Sequence, residues 1–302
     1  MEAYTDFASV YDTFMDETPY EEWADWIEKL ICEYGISKIR EQAGKEQASG
    51  RGQEYPARTQ AEDRGEESQE ADITRTDQSE KERVLLDSEK NLVLDLGCGT
   101  GTLTELLYQK GYDMIGVDYS QDMLNIAMEK KAVSGSEILY LCQDMRELDL
   151  YSTVGTVISI CDSVNYLLED EEVEETFRLV NNYLYPGGIF IFDFNTVYKY
   201  EQVIGDTTIA ENREECSFIW ENYYHEQERI NEYDLTIFVQ DKEDLFRRFS
   251  ETHYQRGYTL EEMKGFVERA GLTFLKAMDA DTHGEVTPES ERIYVIAGEH
   301  GK

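Results

Sequence analysis

Residues 92–104 read LVLDLGCGTGTLT, an apolar run that stops at three alternating glycines and passes into a helical pattern. An aliphatic strand with little alternation belongs in a sheet covered on both sides, and the glycines let the chain turn tightly out of it. The unit recurs. Apolar runs at 92–96, 113–117, 137–142, 154–160 and 188–194 alternate with helical stretches at 102–110, 120–131 and 169–184. Strand and helix in alternation predict an α/β chain, a parallel sheet with helices on both faces.

The flanks differ in character. Tyr4, Phe7, Ala8 and Tyr11, then Trp23, Trp26, Ile27, Leu30 and Ile31, recur at helical spacing with Pro19 between the two sets. They predict two N-terminal helices, and residues 1–40 are read as a helical cap. Residues 41–90 hold almost no large aliphatics, so they are expected to form a disordered or loosely helical insertion. Past about 205 the rhythm breaks into short β-rich stretches divided by polar turns, an antiparallel lid over 205–256. A helix follows at 259–271 with Thr259 as N-cap and Glu262 three residues on, then strands near 272–278 and 292–298. The frame is thus expected to consist of 91–204 and 257–302.

Charge and cysteine usage exclude several classes of partner. The chain of 302 residues carries 65 acids against 28 bases, a formal charge of −37, which repels a phosphate backbone. Cys32, Cys98, Cys142, Cys161 and Cys216 are odd in number and form no C-x-x-C pair, so neither a disulfide framework nor a zinc knuckle is expected. His225, His253, His283 and His300 offer no metal-ligand spacing. The opening MEAYTDFASVYD has no basic or apolar signal region, and no run approaches membrane-spanning length. A cytoplasmic location is the expectation.

The glycine turn narrows the ligand. Asp118 closes the next strand, 21 residues after Gly97, where a carboxylate accepts from both hydroxyls of a ribose. A dinucleotide would lay its pyrophosphate over the turn, and Asp95, two residues before Gly97, would oppose that charge. Thr102 also stands where the dinucleotide pattern has its third glycine. S-adenosylmethionine has no phosphate and carries an ammonium and a sulfonium, so an acid beside the turn suits it.

These motifs resemble those of the class I S-adenosylmethionine-dependent methyltransferases. LDLGCGTG at 94–101 is similar to the first motif, GVDYSQDML at 116–124 to the second, and LCQDMREL at 141–148 to the third. CDSVNYL at 161–167 and LYPGGIFIFDFNT at 184–196 resemble the segments after the fourth strand and around the fifth. The resemblance implies a Rossmann-like seven-stranded, mostly parallel sheet with an antiparallel β insertion after the fifth strand. It implies that Gly97, Cys98, Gly99 and Gly101 cradle the cofactor beside Asp95, and that Asp118 holds the ribose. It further implies that Tyr119 and Met123 line the adenine, with Asp144 near its amino group and Met145 on its ring. Cys161 would pass the methionine portion; Tyr4 and Tyr11 either reach the cofactor carboxylate or pack as core aromatics.

The acceptor is less defined. A sulfonium is already a good leaving group, so alignment and exclusion of water do most of the work and a catalytic residue need not exist. Asp162 and Asn165 are candidates for substrate or methionine contacts, His253 for a general base and Arg256 for a carboxylate partner. His253 and Arg256 are equally readable as strand residues before a charged turn. The segment after the fourth strand has no proline, and no Pro-Cys dipeptide occurs, which argues against nucleobase targets. The expectation is methyl transfer to oxygen or nitrogen of a small molecule, releasing S-adenosylhomocysteine. A non-enzymatic cofactor-binding regulator, or a protein or tRNA methyltransferase, are the alternatives.

Overall fold

The computed structural model describes residues 7–40, 88–242 and 245–302. Tyr4 and residues 41–87 of the expected polar insertion lie outside the described residues.

Seven strands form one sheet: β1 (Leu92–Leu96), β2 (Asp113–Asp118), β3 (Leu139–Cys142), β4 (Val154–Ser159), β5 (Leu184–Asn195), and two strands from the end of the chain. Four strands form a second sheet between them: β6 (Thr208–Asn212), β7 (Cys216–His225), β8 (Ile230–Lys242) and β9 (Leu245–Arg256). The last two strands are β10 (Thr273–Asp279) and β11 (Arg292–Gly298). The large sheet runs β10-β11-β5-β4-β1-β2-β3, with β11 antiparallel to both its neighbours and the other pairs parallel. The expected Rossmann-like architecture is the one observed.

The alternation of side chains along the strands sorts two cores. On β5, Phe190, Phe192 and Phe194 face one cluster while Ile189 and Ile191 face the other. The first cluster takes Val173, Phe177 and Val180 from α5 (Asp170–Tyr183) and Met263, Phe266 and Val267 from α6 (Leu260–Arg269). The second takes Ala24, Ile27, Leu30 and Ile31 from α2 (Tyr20–Tyr34) and Leu103 and Leu107 from α3 (Thr102–Gln109). Each fully buried side chain of this kind contributes about 2 kcal/mol. The helix α4 (Gln121–Ser134) starts where Ser120 Oγ accepts from Met123 N at 3.3 Å. Thr259 and Glu262 cap α6 reciprocally.

The helix α1 (Ala8–Phe14) packs elsewhere. Val10 joins Cys216, Phe218, Leu235 and Ile237 of the four-stranded sheet in a third cluster, and Phe14 meets Phe218 edge-on at 4.8 Å. Asp12 anchors the other side of α1: Thr100 Oγ1 donates to it at 2.7 Å and Lys130 Nζ pairs with it at 2.6 Å. The cap expected over 1–40 therefore divides, since α2 belongs to the sheet core and α1 bridges the glycine turn and the insertion. Among the described residues no helix is long and apolar enough to cross a membrane.

Candidate functional site

The chain leaves β1 toward β2 and β3 on one side and returns to β4 and β5 on the other. The carboxyl ends of β1 and β4 therefore diverge, and a crevice opens there. Leu96, Gly97 and Gly99 line it from β1, Val117 through Ser120 from β2, and Cys161, Ser163 and Tyr166 from the segment after β4. Met123, Asp144 and Met145 close one end, and Tyr11 of α1 lines it as well.

Gly97, Gly99 and Gly101 all have positive φ, +83°, +54° and +73°. A Cβ on Gly97 would lie 2.5 Å from Ser163 Oγ, whereas one on Gly99 would meet nothing within 4 Å. The first glycine permits close packing of two loops; the second presents bare main chain to the open crevice. The turn's amides are spent inward. Gly97 N and Cys98 N donate to Val117 O at 2.8 and 3.0 Å, Gly101 N to Cys98 O at 2.9 Å, and Gly99 N to Asp118 Oδ2 at 2.8 Å. A pyrophosphate would need such donors, and a carboxylate already occupies the central one.

The carboxylates explain what the crevice favours. Asp118 Oδ1 accepts from Ser120 N at 2.8 Å, so each of its oxygens holds one bond and keeps a lone pair for a ribose hydroxyl. Burial raises its pKa, and the Ser120, Gly99 and Tyr119 amides oppose that rise. Asp95 is 2 % exposed and accepts from Thr104 Oγ1 at 2.6 Å. Burial lifts its pKa to about 7, Thr104 lowers it and the Asp118 charge raises it further. A cation nearby would relieve that cost; a phosphate would add to it. Asp95 itself does not reach the lining. Asp144 does, with its carboxylate clasped by Arg146 at 2.6–3.1 Å, which holds its pKa low. Arg146 also reaches Glu172 at 2.5 Å.

Of the other expected cofactor contacts, Met123 is buried, Tyr119 is 56 % exposed, and Met145 lines the crevice with its Cε 3.6 Å from where a Cβ on Gly97 would stand. Cys98 and Gly101, expected in the cradle, do not line the crevice; the Cys98 thiol lies toward Gly116 and Gly99 O, and Gly101 packs against Tyr140 and Ala127. Tyr11 Oη lies 4.0 Å from Cys161 Sγ, and burial pushes that thiol up to about 12.

Cys161 and Asp162 adopt positive φ, +67° and +53°, which costs non-glycine residues about 1–2 kcal/mol each. Asp193, wholly buried on β5, holds the kink by accepting from Cys161 N at 3.1 Å and Asp162 N at 2.8 Å. Asp162 Oδ2 in turn accepts from Gln255 Nε2 at 2.5 Å. Asn165 has no exposed surface; Nδ2 donates to Asn195 O and Arg256 O, and Oδ1 accepts from Asn195 N. Arg256 donates to Leu168 O at 2.9 Å and pairs with Asp170 at 2.8 Å. These two residues brace the crevice and do not line it, so neither occupies the acceptor position proposed for it from sequence. His253, 2 % exposed, sits behind Tyr166.

Ser163, Tyr166, Arg146 and Asp193 are site residues that the sequence reading did not single out. The quoted stretch CDSVNYL contains the first two, but nothing in its spacing separates Tyr166 from a core tyrosine.

A family model described as a methyltransferase domain matches residues 93–188. YqeM of Bacillus subtilis (strain 168), a methyltransferase by name, is 30 % identical over 295 residues, which span 97 % of this chain and 96 % of the relative. The crystal structure of a S-adenosylmethionine-dependent methyltransferase from Clostridium acetobutylicum ATCC 824 aligns over 99 % of both chains, with a TM-score of 0.73 and 26 % identity. A shorter match, 31 % identical over 105 residues, joins 35 % of this chain to 43 % of the dTDP-3-amino-3,4,6-trideoxy-alpha-D-glucopyranose N,N-dimethyltransferase of Streptomyces venezuelae.

Proposed function

The chain belongs to the class I S-adenosylmethionine-dependent methyltransferases, and from that premise we propose that its acceptor is a small molecule methylated at oxygen or nitrogen. The observation that carries this reading is the enclosure of the crevice beyond Cys161. Tyr11 walls it from α1, and Tyr166 walls it from the turn after β4 while bonding to Tyr233 of β8. The insertion is thereby tied to the cavity wall, a geometry suited to a compact acceptor rather than to a polymer. The charge of −37 disfavours nucleic acid, and the partial likeness to an amino-sugar N,N-dimethyltransferase supports a small polar acceptor.

Bound S-adenosylmethionine supplies an electrophilic methyl group on a sulfonium. In this reading Asp118 holds the ribose and Gly99 gives its main chain to the ligand. Tyr119, Met123 and Met145 flank the adenine, with Asp144 held toward its amino group by Arg146, while Tyr11 and Cys161 border the methionine end. Asp95, buried behind the turn, is a carboxyl whose ionised form a bound cation would favour. Five free thiols support a reducing, cytoplasmic setting.

Fractionation tests the acceptor class. Cell extract is separated into low-mass, RNA and protein fractions, and each is incubated with enzyme and methyl-labelled cofactor. Label in the low-mass fraction is the expected result; label confined to RNA or protein would overturn the reading.

A further inference from the structure

The acceptor end of the crevice holds a chain of polar groups that cofactor binding does not use. Tyr166 lines the crevice, and its hydroxyl lies 2.7 Å from Tyr233 Oη and 3.4 Å from His253 Nδ1. The His253 ring stacks on Tyr233, with centroids 5.0 Å apart and planes at 10°, and meets Tyr166 edge-on at 6.1 Å. Its other nitrogen, Nε2, is 3.2 Å from Glu251 Oε2. Glu251 is 9 % exposed, and its Oε1 accepts from Phe7 N at 3.0 Å, so main chain beside α1 fixes the carboxylate. Hydrogen-bonding groups thus run unbroken from the crevice wall through the insertion to a buried acid.

A plain structural role is the competing account, because a buried histidine needs partners wherever it sits. The order of the groups favours more than that. A carboxylate accepts only, so the His253 Nε2–H donates to Glu251 and the Nδ1 lone pair is left toward the Tyr166 hydroxyl. Phenol facing the crevice, imidazole behind it and carboxylate behind that is a base with its orienting group. A buried pair of this kind adds little stability over apolar residues of similar volume, so stability alone does not account for it. Among the described residues, titratable groups face His253 from Tyr166 after β4, Tyr233 on β8 and Glu251 on β9.

We propose that Tyr166, His253 and Glu251 form a proton relay that removes the acceptor's proton as its oxygen or nitrogen is methylated. The proposal rests on the small-molecule reading above. The acceptor's lone pair forms the bond to the methyl carbon, and the carbon–sulfur bond breaks with its electron pair remaining on sulfur. The acceptor's proton passes to the Tyr166 oxygen while the phenolic proton moves to His253 Nδ1. His253 is then an imidazolium beside the Glu251 carboxylate, and releases its proton to solvent after product leaves. Tyr166 and His253 are the groups that move the proton; Glu251 and Tyr233 are positioning residues.

The position of the proton on the resting imidazole tests this in the unaltered protein. Histidine-labelled protein is examined by long-range proton–nitrogen NMR as its S-adenosylhomocysteine complex, with the His253 signal identified by its loss in His253→Gln. The relay requires the proton on Nε2, and an Nδ1 signal that moves in Tyr166→Phe. A dominant Nδ1–H form would overturn it, because His253 would then donate to Tyr166 and transfer would be blocked; an Nδ1 signal unchanged in Tyr166→Phe would do the same. With the acceptor from the fractionation assay, His253→Gln should lower kcat by about 10²-fold at unchanged KM for cofactor, and wild-type kcat would also overturn the relay. Label found only in RNA or protein marks failure of the acceptor reading, which is separate from a wrong tautomer.

Discussion

Gly97 and Gly99 stand two residues apart at similar φ, yet alanine should affect them differently. At Gly97 the new methyl meets Ser163 as well as an unfavourable φ, so unfolding free energy should fall by about 3 kcal/mol. At Gly99 the methyl projects into open crevice, so stability should fall by only about 1 kcal/mol. There the loss should instead appear as at least about tenfold weaker S-adenosylhomocysteine binding, or about 1.4 kcal/mol. Denaturant melts and calorimetry separate the two effects, and wild-type affinity in Gly99→Ala would remove that main chain from the contact surface. Asp95 makes a pH prediction. Its pKa is about 7 in the fold against an ordinary 3.8, so between these values the folded state binds a proton that the unfolded state does not. Its favourable contribution is complete below pH 3.8 and is lost as pH rises through 7. Asp95→Asn should therefore gain on wild type across that window, reaching an advantage of a few kcal/mol above it. Equal pH profiles for the two proteins would contradict the burial argument. The glycine turn and the place of Asp118 at the end of β2 were legible because they are local in sequence, whereas Asp95 lies behind the lining and not in it. The tasks of Asn165 and Arg256 were not, since their partners lie 30–91 residues away.

The strongest constraint on an element lies after β4. Two consecutive left-handed residues would relax into ordinary backbone unless something held them, and Asp193 takes both amides. Asp193→Ala should cost about 3 kcal/mol, since it leaves two amides and the nearby Arg292 without their acceptor. Thermal and denaturant unfolding measure it; a loss below about 0.5 kcal/mol, the range of ordinary surface substitutions, would show that the kink needs no support. Strands β1, β2, β4 and β5 were legible because burial on both faces writes continuous apolar runs. β6 was not, since its side chains are largely exposed and carry no alternation. The antiparallel setting of β11 follows from the short link after β10, 280–291, which holds no helix to carry a parallel crossover. The π-turn Lys199–Ile204 had no signature in the pattern, and only Tyr200 within it is buried.

Across the molecule, three clusters of apolar side chains among the described residues divide the work. Two sandwich the large sheet, and the third joins α1 to the insertion above the crevice. Asp12 and the Phe7–Glu251 bond tie that third unit to the glycine turn and to β9, so crevice, α1 and insertion share contacts. The central claim is that this crevice grips a phosphate-free, cationic nucleoside. Isothermal titration of the protein with S-adenosylhomocysteine, beside NADH, tests it most directly. The account predicts one-to-one binding with Kd in the micromolar range, weakened by about 10–100-fold in Asp118→Ala, roughly 1.4–2.8 kcal/mol, and no heat with NADH. Absence of heat with S-adenosylhomocysteine at high micromolar concentration, or tighter binding of NADH, would contradict it.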